Sequence, residues 1–225
     1  MKKSQTFLKI VGDCHGMDKE FIKLTKDCQN IIQLGDFSFD YSCLPTITKE
    51  CNVKILAGNH DNYDLINDYK EYFLGDFGIH NIGNIEFFFV RGGFSVDWQQ
   101  RADYNWRTGK TVWWEQEQLS YSRMLECLQY YKQIKPSIIF THEAPRQIAN
   151  LIGNPNVLRN YGYDPDIFTT NTGELLQSMF EFHQPKLWCF AHYHKYRNIN
   201  VDGTNFICLP ELGQITLNKE GHICV

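Results

Sequence analysis

The chain has 225 residues, 43% of them hydrophobic and 21% charged, enough to bury a sizeable core in one larger domain or two small ones. A formal net charge of −4, with no block of like charge, gives no general attraction to phosphate backbones or anionic membranes. No segment approaches the roughly 20 apolar residues of a membrane helix, and Met1 to Phe7 leads into a run too short and interrupted for a signal peptide.

In chain order, Thr6 to Val11 is a short apolar run bounded by Gly12 and reads as a buried strand. A helix is expected from Asp18 to about Cys28, where Phe21, Leu24, Thr25 and Cys28 recur at helical spacing. Strands follow at Asn30–Leu34 and Asn52–Leu56, joined by a shorter connection, Tyr41–Glu50, with Pro45 near a helix start. This β-α-β-α-β order points to helices layered over a sheet that is at least partly parallel. Ile85–Arg91 reads as another strand, broken by Gly92-Gly93. Trp98 to Trp114 holds four of the five tryptophans and reads as a long loop or cap. Glu115–Gln133 is expected to be helical up to Pro136, ahead of a strand at Ser137–Phe140.

Ala144 to Asp166, rich in Asn, Gly and Pro, reads as a second long loop, and loops of that length are usually functional or disordered. A helix over Thr172–His183 has Asn171 and Glu174 spaced like a capping box. After the strand Lys186–Phe190, Asn198–Val201 and Thr204–Leu209 flank Asp202-Gly203, the signal of a two-residue hairpin. Gln214–Leu217 and His222–Val225 are expected to extend it. The 8 cysteines are scattered, mostly in apolar surroundings, and read as reduced, buried thiols of a cytoplasmic protein.

Five apolar runs end in the same kind of residue. They stop at Asp13-Cys14-His15, Gly35-Asp36, Gly58-Asn59-His60-Asp61, His142 and His192-Tyr193-His194. Ligands of open α/β sheets gather beyond the carboxyl ends of strands, so the five endings read as one site. The candidate ligands Asp13, His15, Asp36, Asn59, His142, His192 and His194 mix carboxylate, imidazole and amide, a set suited to manganese, iron, zinc or nickel. Seven ligands are too many for one catalytic ion with open positions and natural for two ions sharing a carboxylate.

In this order, Asp-x-His-Gly, Gly-Asp, Gly-Asn-His-Asp, a lone His and His-x-His resemble the calcineurin-like metallophosphoesterase superfamily over Asp13 to His194. The surroundings of His15, Thr141-His142-Glu143-Ala144-Pro145 and Trp113-Trp114-x-x-Glu117 are similar to small bacterial and phage phosphoesterases. The resemblance implies a four-layer α/β/β/α sandwich of two mixed sheets, formed by residues 1–225 as one domain with a cap or insert at 92–114. It implies two divalent metals, manganese favoured, one on Asp13, His15, Asp36 and His194, the other on Asp36, Asn59, His142 and His192. In-line attack of a metal-bridging hydroxide would cleave phosphate mono- or diesters, with His60 assisting the leaving group. The substrate would be a phosphorylated small molecule, a nucleotide or a phosphoprotein.

Two departures from the family pattern bear on the catalytic groups. The acid after the bridging Asp stands one place late, at Asp40, so Asp61 or a backbone carbonyl is expected to orient His60. The usual arginine is missing there, leaving Arg91, Arg101 and Arg107 as candidates to grip phosphate. The alternative function is a binding scaffold that has lost catalysis.

Overall fold

The computed structural model describes residues 7–26, 28–47 and 51–224. In chain order the elements are β1 (Leu8–Val11), α1 (Asp18–Thr25), β2 (Asn30–Gln33), α2 (Leu44–Ile47), β3 (Asn52–Ile55), β4 (Phe77–Ile82) and β5 (Ile85–Val90). There follow α3 (Trp98–Thr108), α4 (Tyr121–Ile134), β6 (Ile138–Thr141), α5 (Arg146–Ile152), α6 (Pro155–Asn160), α7 (Asn171–Phe182) and β7 (Leu187–Phe190). The chain ends with β8 (Arg197–Val201), β9 (Thr204–Cys208), β10 (Gln214–Leu217) and β11 (Ile223–Cys224). The expected elements at Thr6, 48–50 and Val225 lie outside the described residues.

Among the described residues the strands form two mixed sheets. One runs β11-β10-β1-β2-β3 and the other β4-β5-β6-β7-β9-β8. β1, β2 and β3 are parallel, as are β5, β6, β7 and β9, while the remaining pairs are antiparallel. The Phe87–Val90 run explains how the sheets are covered. Phe87 and Phe89 face Leu8, Ile10, Ile32 and Leu34 of the other sheet, whereas Phe88 and Val90 join Met124, Tyr131, Leu176 and Phe180 under α4 and α7. An uninterrupted apolar run is what a strand buried on both faces requires. On the far side of the first sheet, Val11, Ile31, Val53 and Ile55 pack with Phe21 of α1 and Leu44 of α2. The result is the α/β/β/α sandwich that the resemblance implies.

Several local expectations are corrected. Trp98–Trp114 is not a loop throughout, because α3 occupies most of it. None of its residues is buried, so it lacks the apolar stripe that betrays a helix. It is held instead by the pairs Arg101–Asp97 and Arg107–Asp103 and by Gly109, whose left-handed backbone (φ 67°) closes the C-terminus. Ala144–Asp166 contains α5 and α6, each under two turns; Pro155 and the Asn154 cap, which accepts from Asn156 N at 3.1 Å, start the second. α4 begins six residues later than expected, at the Ser120 cap. In α7 the cap is Thr170, accepting from Gly173 N at 2.8 Å, while Glu174 turns to Thr169 and Arg146. β4, an edge strand absent from the sequence reading, pairs with β5. β10 does not extend the β8–β9 hairpin; it pairs with β1 across the other sheet.

Phe87 is fully buried between the sheets. Phe87→Ala is expected to cost about 3–5 kcal/mol, measured as a lower urea midpoint; a change under about 1 kcal/mol would show that the two sheets do not share this core.

Candidate metal centre

The loops after β1, β2, β3, β6 and β7 converge at one end of the sandwich. Two groups of ligand atoms, each within 4.8 Å of one another, result: Asp13, His15, Asp36 and His194, and Asp36, His142 and His192. Asp36 belongs to both. Asn59 joins the second group, its Oδ1 lying 2.9 Å from His142 Nε2 and 2.9 Å from His192 Nδ1. All seven candidate ligands therefore meet.

The approach is close enough to dictate the backbone. Gly35 is left-handed (φ 105°), and a Cβ there would lie 2.4 Å from His142 Nδ1. A Cβ on Gly58 would stand 2.2 Å from Asp36 Oδ1 and 2.5 Å from the Asp36 amide. His15, Asp36, His192 and His194 all carry positive φ, between 46° and 66°. Such conformations cost energy for residues with a Cβ and persist where the surroundings over-determine them.

The atoms inside the cluster fit divalent cations. Asp13 Oδ1 accepts from His192 N at 3.3 Å and Asp36 Oδ1 from His60 N at 2.7 Å, yet the second oxygen of each carboxylate is buried without a hydrogen-bond donor. His142 sets its Nδ1 2.7 Å from the Leu34 carbonyl. Donation there leaves the Nε2 lone pair of a neutral ring facing Asn59 Oδ1 at 2.9 Å and Asp36 Oδ1 at 3.3 Å. His15 Nε2 and His194 Nε2 meet at 3.0 Å. Each such contact needs positive charge between its two heavy atoms, either the hydrogen of a ring N–H or a bound cation.

In the metal-free chain protons supply part of that charge. Burial works against a charged His142, but Asp36 and Asp13 outweigh it and raise its pKa to about 10. Burial likewise opposes ionisation of Asp36, and His142, His60 and His15 reverse this, holding the carboxyl well below its ordinary range. His192 is kept neutral by burial and by the His142 charge. A raised His142 pKa favours a second proton on the ring without metal, and cation binding would displace that proton.

Groups outside the cluster aim its ligands. Asn59 Nδ2 donates to Ser95 Oγ at 3.0 Å, and Ser95 Oγ donates to Glu117 Oε2 at 2.6 Å. The chain of bonds fixes the Asn59 amide with its oxygen toward the histidines. Burial raises Glu117 to about 7 against the pull of its Ser95 bonds. Glu211 Oε1 stands 3.3 Å from His194 Nδ1. Ser95 and Glu211 carry no motif and were missed by sequence reasoning; Glu117 was visible only as part of a resemblance.

His60 lines the adjoining cavity with its Nδ1 buried and unpartnered, and its ring lies 5.6 Å from that of His15. Asp40 does not reach it and instead accepts from Ser42 N and Oγ. Asp61 does not reach the ring either. Its oxygens accept from the amides of Asp36, Phe37, Ser38 and Gly58, tying the β2 loop to the β3 loop. Burial and Asp36 push Asp61 up to about 7 against those donors. None of the three candidate arginines lines the cavity. Arg91 is held by Asp76, Tyr63 and the Gln116 carbonyl, Arg101 by Asp97, and Arg107 by Asp103 on the outer side. Arg101 is near enough to help depress the His60 pKa, behind burial.

Ser95→Ala should weaken manganese binding by about 10–100-fold with the fold retained, as read by calorimetry and circular dichroism; unchanged affinity would show that the Asn59 amide needs no support. Binding to wild-type protein at pH 7 should release about one proton per chain from His142, measured as a buffer-dependent binding enthalpy. An enthalpy independent of buffer would contradict the assigned protonation.

Among the described residues no helix is long and apolar enough to cross a membrane. No curated protein matches the sequence. Among solved structures the chain is similar to a dimetal phosphatase from Danio rerio, with 14% identity over 97% of this chain and 91% of that one, TM-score 0.52. It is also similar to GAP50, the anchor in the inner membrane complex of Plasmodium (9% identity, 98% and 87% covered, TM-score 0.50). A third similar structure is the phosphopantetheinyl hydrolase PptH from Mycobacterium tuberculosis (12% identity, 92% and 90% covered, TM-score 0.49). At such identities the likeness to the first two speaks to the fold alone. The family model of calcineurin-like phosphoesterases matches residues 8–196, and the chain belongs to that family.

Proposed function

We propose that the chain is a phosphoesterase that hydrolyses phosphate mono- or diesters with two divalent cations. The observation that carries this reading is Asp36, one carboxylate common to two ligand clusters, with a buried oxygen that no donor satisfies. Asp13, His15, Asp36 and His194 would hold one cation and Asp36, Asn59, His142 and His192 the other. The mixed donor set favours manganese, with iron, zinc or nickel as alternatives. Such a pair, when bound, acidifies water and polarises phosphoryl oxygens.

The protein's own groups do the rest. His60, facing the cavity, would stabilise charge on the phosphoryl group and protonate the leaving oxygen, a contribution of about 10²–10⁴-fold. Asp61 acts on it as a positioning residue, through the loop amides rather than the ring. Arg146 and Lys195 line the cavity and supply cationic surface for the phosphate, a role the sequence reading gave to Arg91, Arg101 and Arg107. We read residues 1–225 as one domain with an insert at 92–114, of which Phe94, Ser95, Val96 and Asp97 line the cavity and Trp98–Trp114 does not. All eight cysteines are free thiols, which supports a reducing, cytoplasmic setting.

His60→Ala should retain metal while losing about 10²–10⁴-fold in nitrophenyl phosphate hydrolysis, and Asp36→Asn should lose both metal and activity. Equal rates in wild type and Asp36→Asn would defeat the assignment. Metal analysis should find about two ions per chain; fewer than one would favour the binding-scaffold alternative.

A further inference from the structure

The cavity that begins at Asp36, Asn59, His60, His192 and His194 does not end where a phosphoryl group would. It continues as a chamber beneath α5 and α6, and the whole has a volume of about 470 Å³, within the usual range for sites that enclose small organic molecules. Its wall beyond the cluster presents Phe94, Val157, Leu158, Tyr161, Phe168 and Tyr193. Phe94 and Phe168 are braced by Tyr163, the three ring centroids lying 4.8 to 6.1 Å apart. Val157 and Tyr161 stay 41% and 36% exposed at the rim, apolar surface with nothing over it. At the junction between cluster and chamber stands Lys195, next in the chain to His194. Its Nζ donates to the Ile152 carbonyl at 2.7 Å, and no carboxylate pairs with it among the described residues.

Resting on the phosphoesterase reading above, we propose that the substrate is a small-molecule phosphoester whose alcohol portion is an apolar or aromatic body seated against Val157, Leu158 and Tyr161. The cavity is continuous from the cluster to the chamber. A single cavity has a polar floor able to take a phosphoryl group, a cation at the threshold and an apolar wall beyond, so its occupant must change character in the same order. A phosphoserine or phosphothreonine side chain, with its short link between phosphate and backbone, would leave the wall wet. An aromatic body would bury it, and apolar burial is the main source of affinity in such pockets.

The test compares phenyl with naphthyl phosphate, whose leaving groups are of similar acidity, in manganese-loaded protein. Naphthyl phosphate should be preferred by about tenfold in kcat/KM, mostly through KM. Leu158→Asp and the more exposed Val157→Asp should each remove that preference with metal content unchanged, and Trp106→Ala, outside the cavity, should keep it. Independently, naphthol should bind the metal-free protein in calorimetry and fail to bind Leu158→Asp. Active enzyme with equal kcat/KM for both esters, or with a preference that survives both Asp variants, would overturn the proposal. Naphthol binding that Leu158→Asp abolishes, with neither ester hydrolysed, would uphold the chamber and sink the phosphoesterase reading instead.

Discussion

Much of this molecule is arranged around two carboxyl groups, Asp13 and Asp36, held where water cannot reach them. Burying a charge is expensive unless an opposite charge or a set of donors compensates it. Here backbone donors satisfy one oxygen of each and leave the other without a hydrogen bond, Asp13 Oδ2 having only His194 Nε2 at 3.2 Å. The remaining compensation must come from cations, whether the His142 proton or a metal. Strained φ at four ligand residues and glycines at positions 35 and 58 follow from bringing the loops close enough to share that charge. The two sheets serve it too. Their parallel strands deliver five loops to one edge, and the inter-sheet core fixes the distance between the Asp13/Asp36/Asn59 side and the His142/His192/His194 side.

The sandwich is found in a dimetal phosphatase and in an anchor of a membrane complex alike, so the fold does not choose between catalysis and scaffolding. What distinguishes the alternatives is whether the buried carboxylates are retained. A scaffold gains nothing from bare oxygens in its interior and would be stabilised by replacing them with packed apolar side chains.

Much of the fold and nearly all of the cluster was legible in the sequence, for a shared reason: both are written in short-range pattern. β1, β2, β3, β5, β6 and β7 are apolar runs that stop abruptly, and each ligand sits just past such a stop. The unread parts have their causes as well. α3 buries no residue fully, its inner face of Trp98, Arg101, Ala102 and Asn105 being only half-buried and mostly polar, so no apolar stripe marks it, and its i,i+4 ion pairs were the available signal. α5 and α6 are too short to establish a period. β10 depends on pairing with β1 some 200 residues earlier in the chain, which local pattern cannot convey. The role of Asp61 was misjudged because proximity in sequence suggested contact with the His60 ring. Its geometry is instead that of a clasp, four amides on two oxygens.

The two halves of the cluster differ in their relation to solvent. His142 is sealed completely, whereas the His194 side chain is 45% exposed and leans on an equally open Glu211. Departure from the sealed half requires the packed loops to part, while the open half needs only one imidazole to swing outward. On the two-cation reading proposed above, the positions would therefore be kinetically unequal, the sealed one retentive and the open one exchanging readily with surrounding ions.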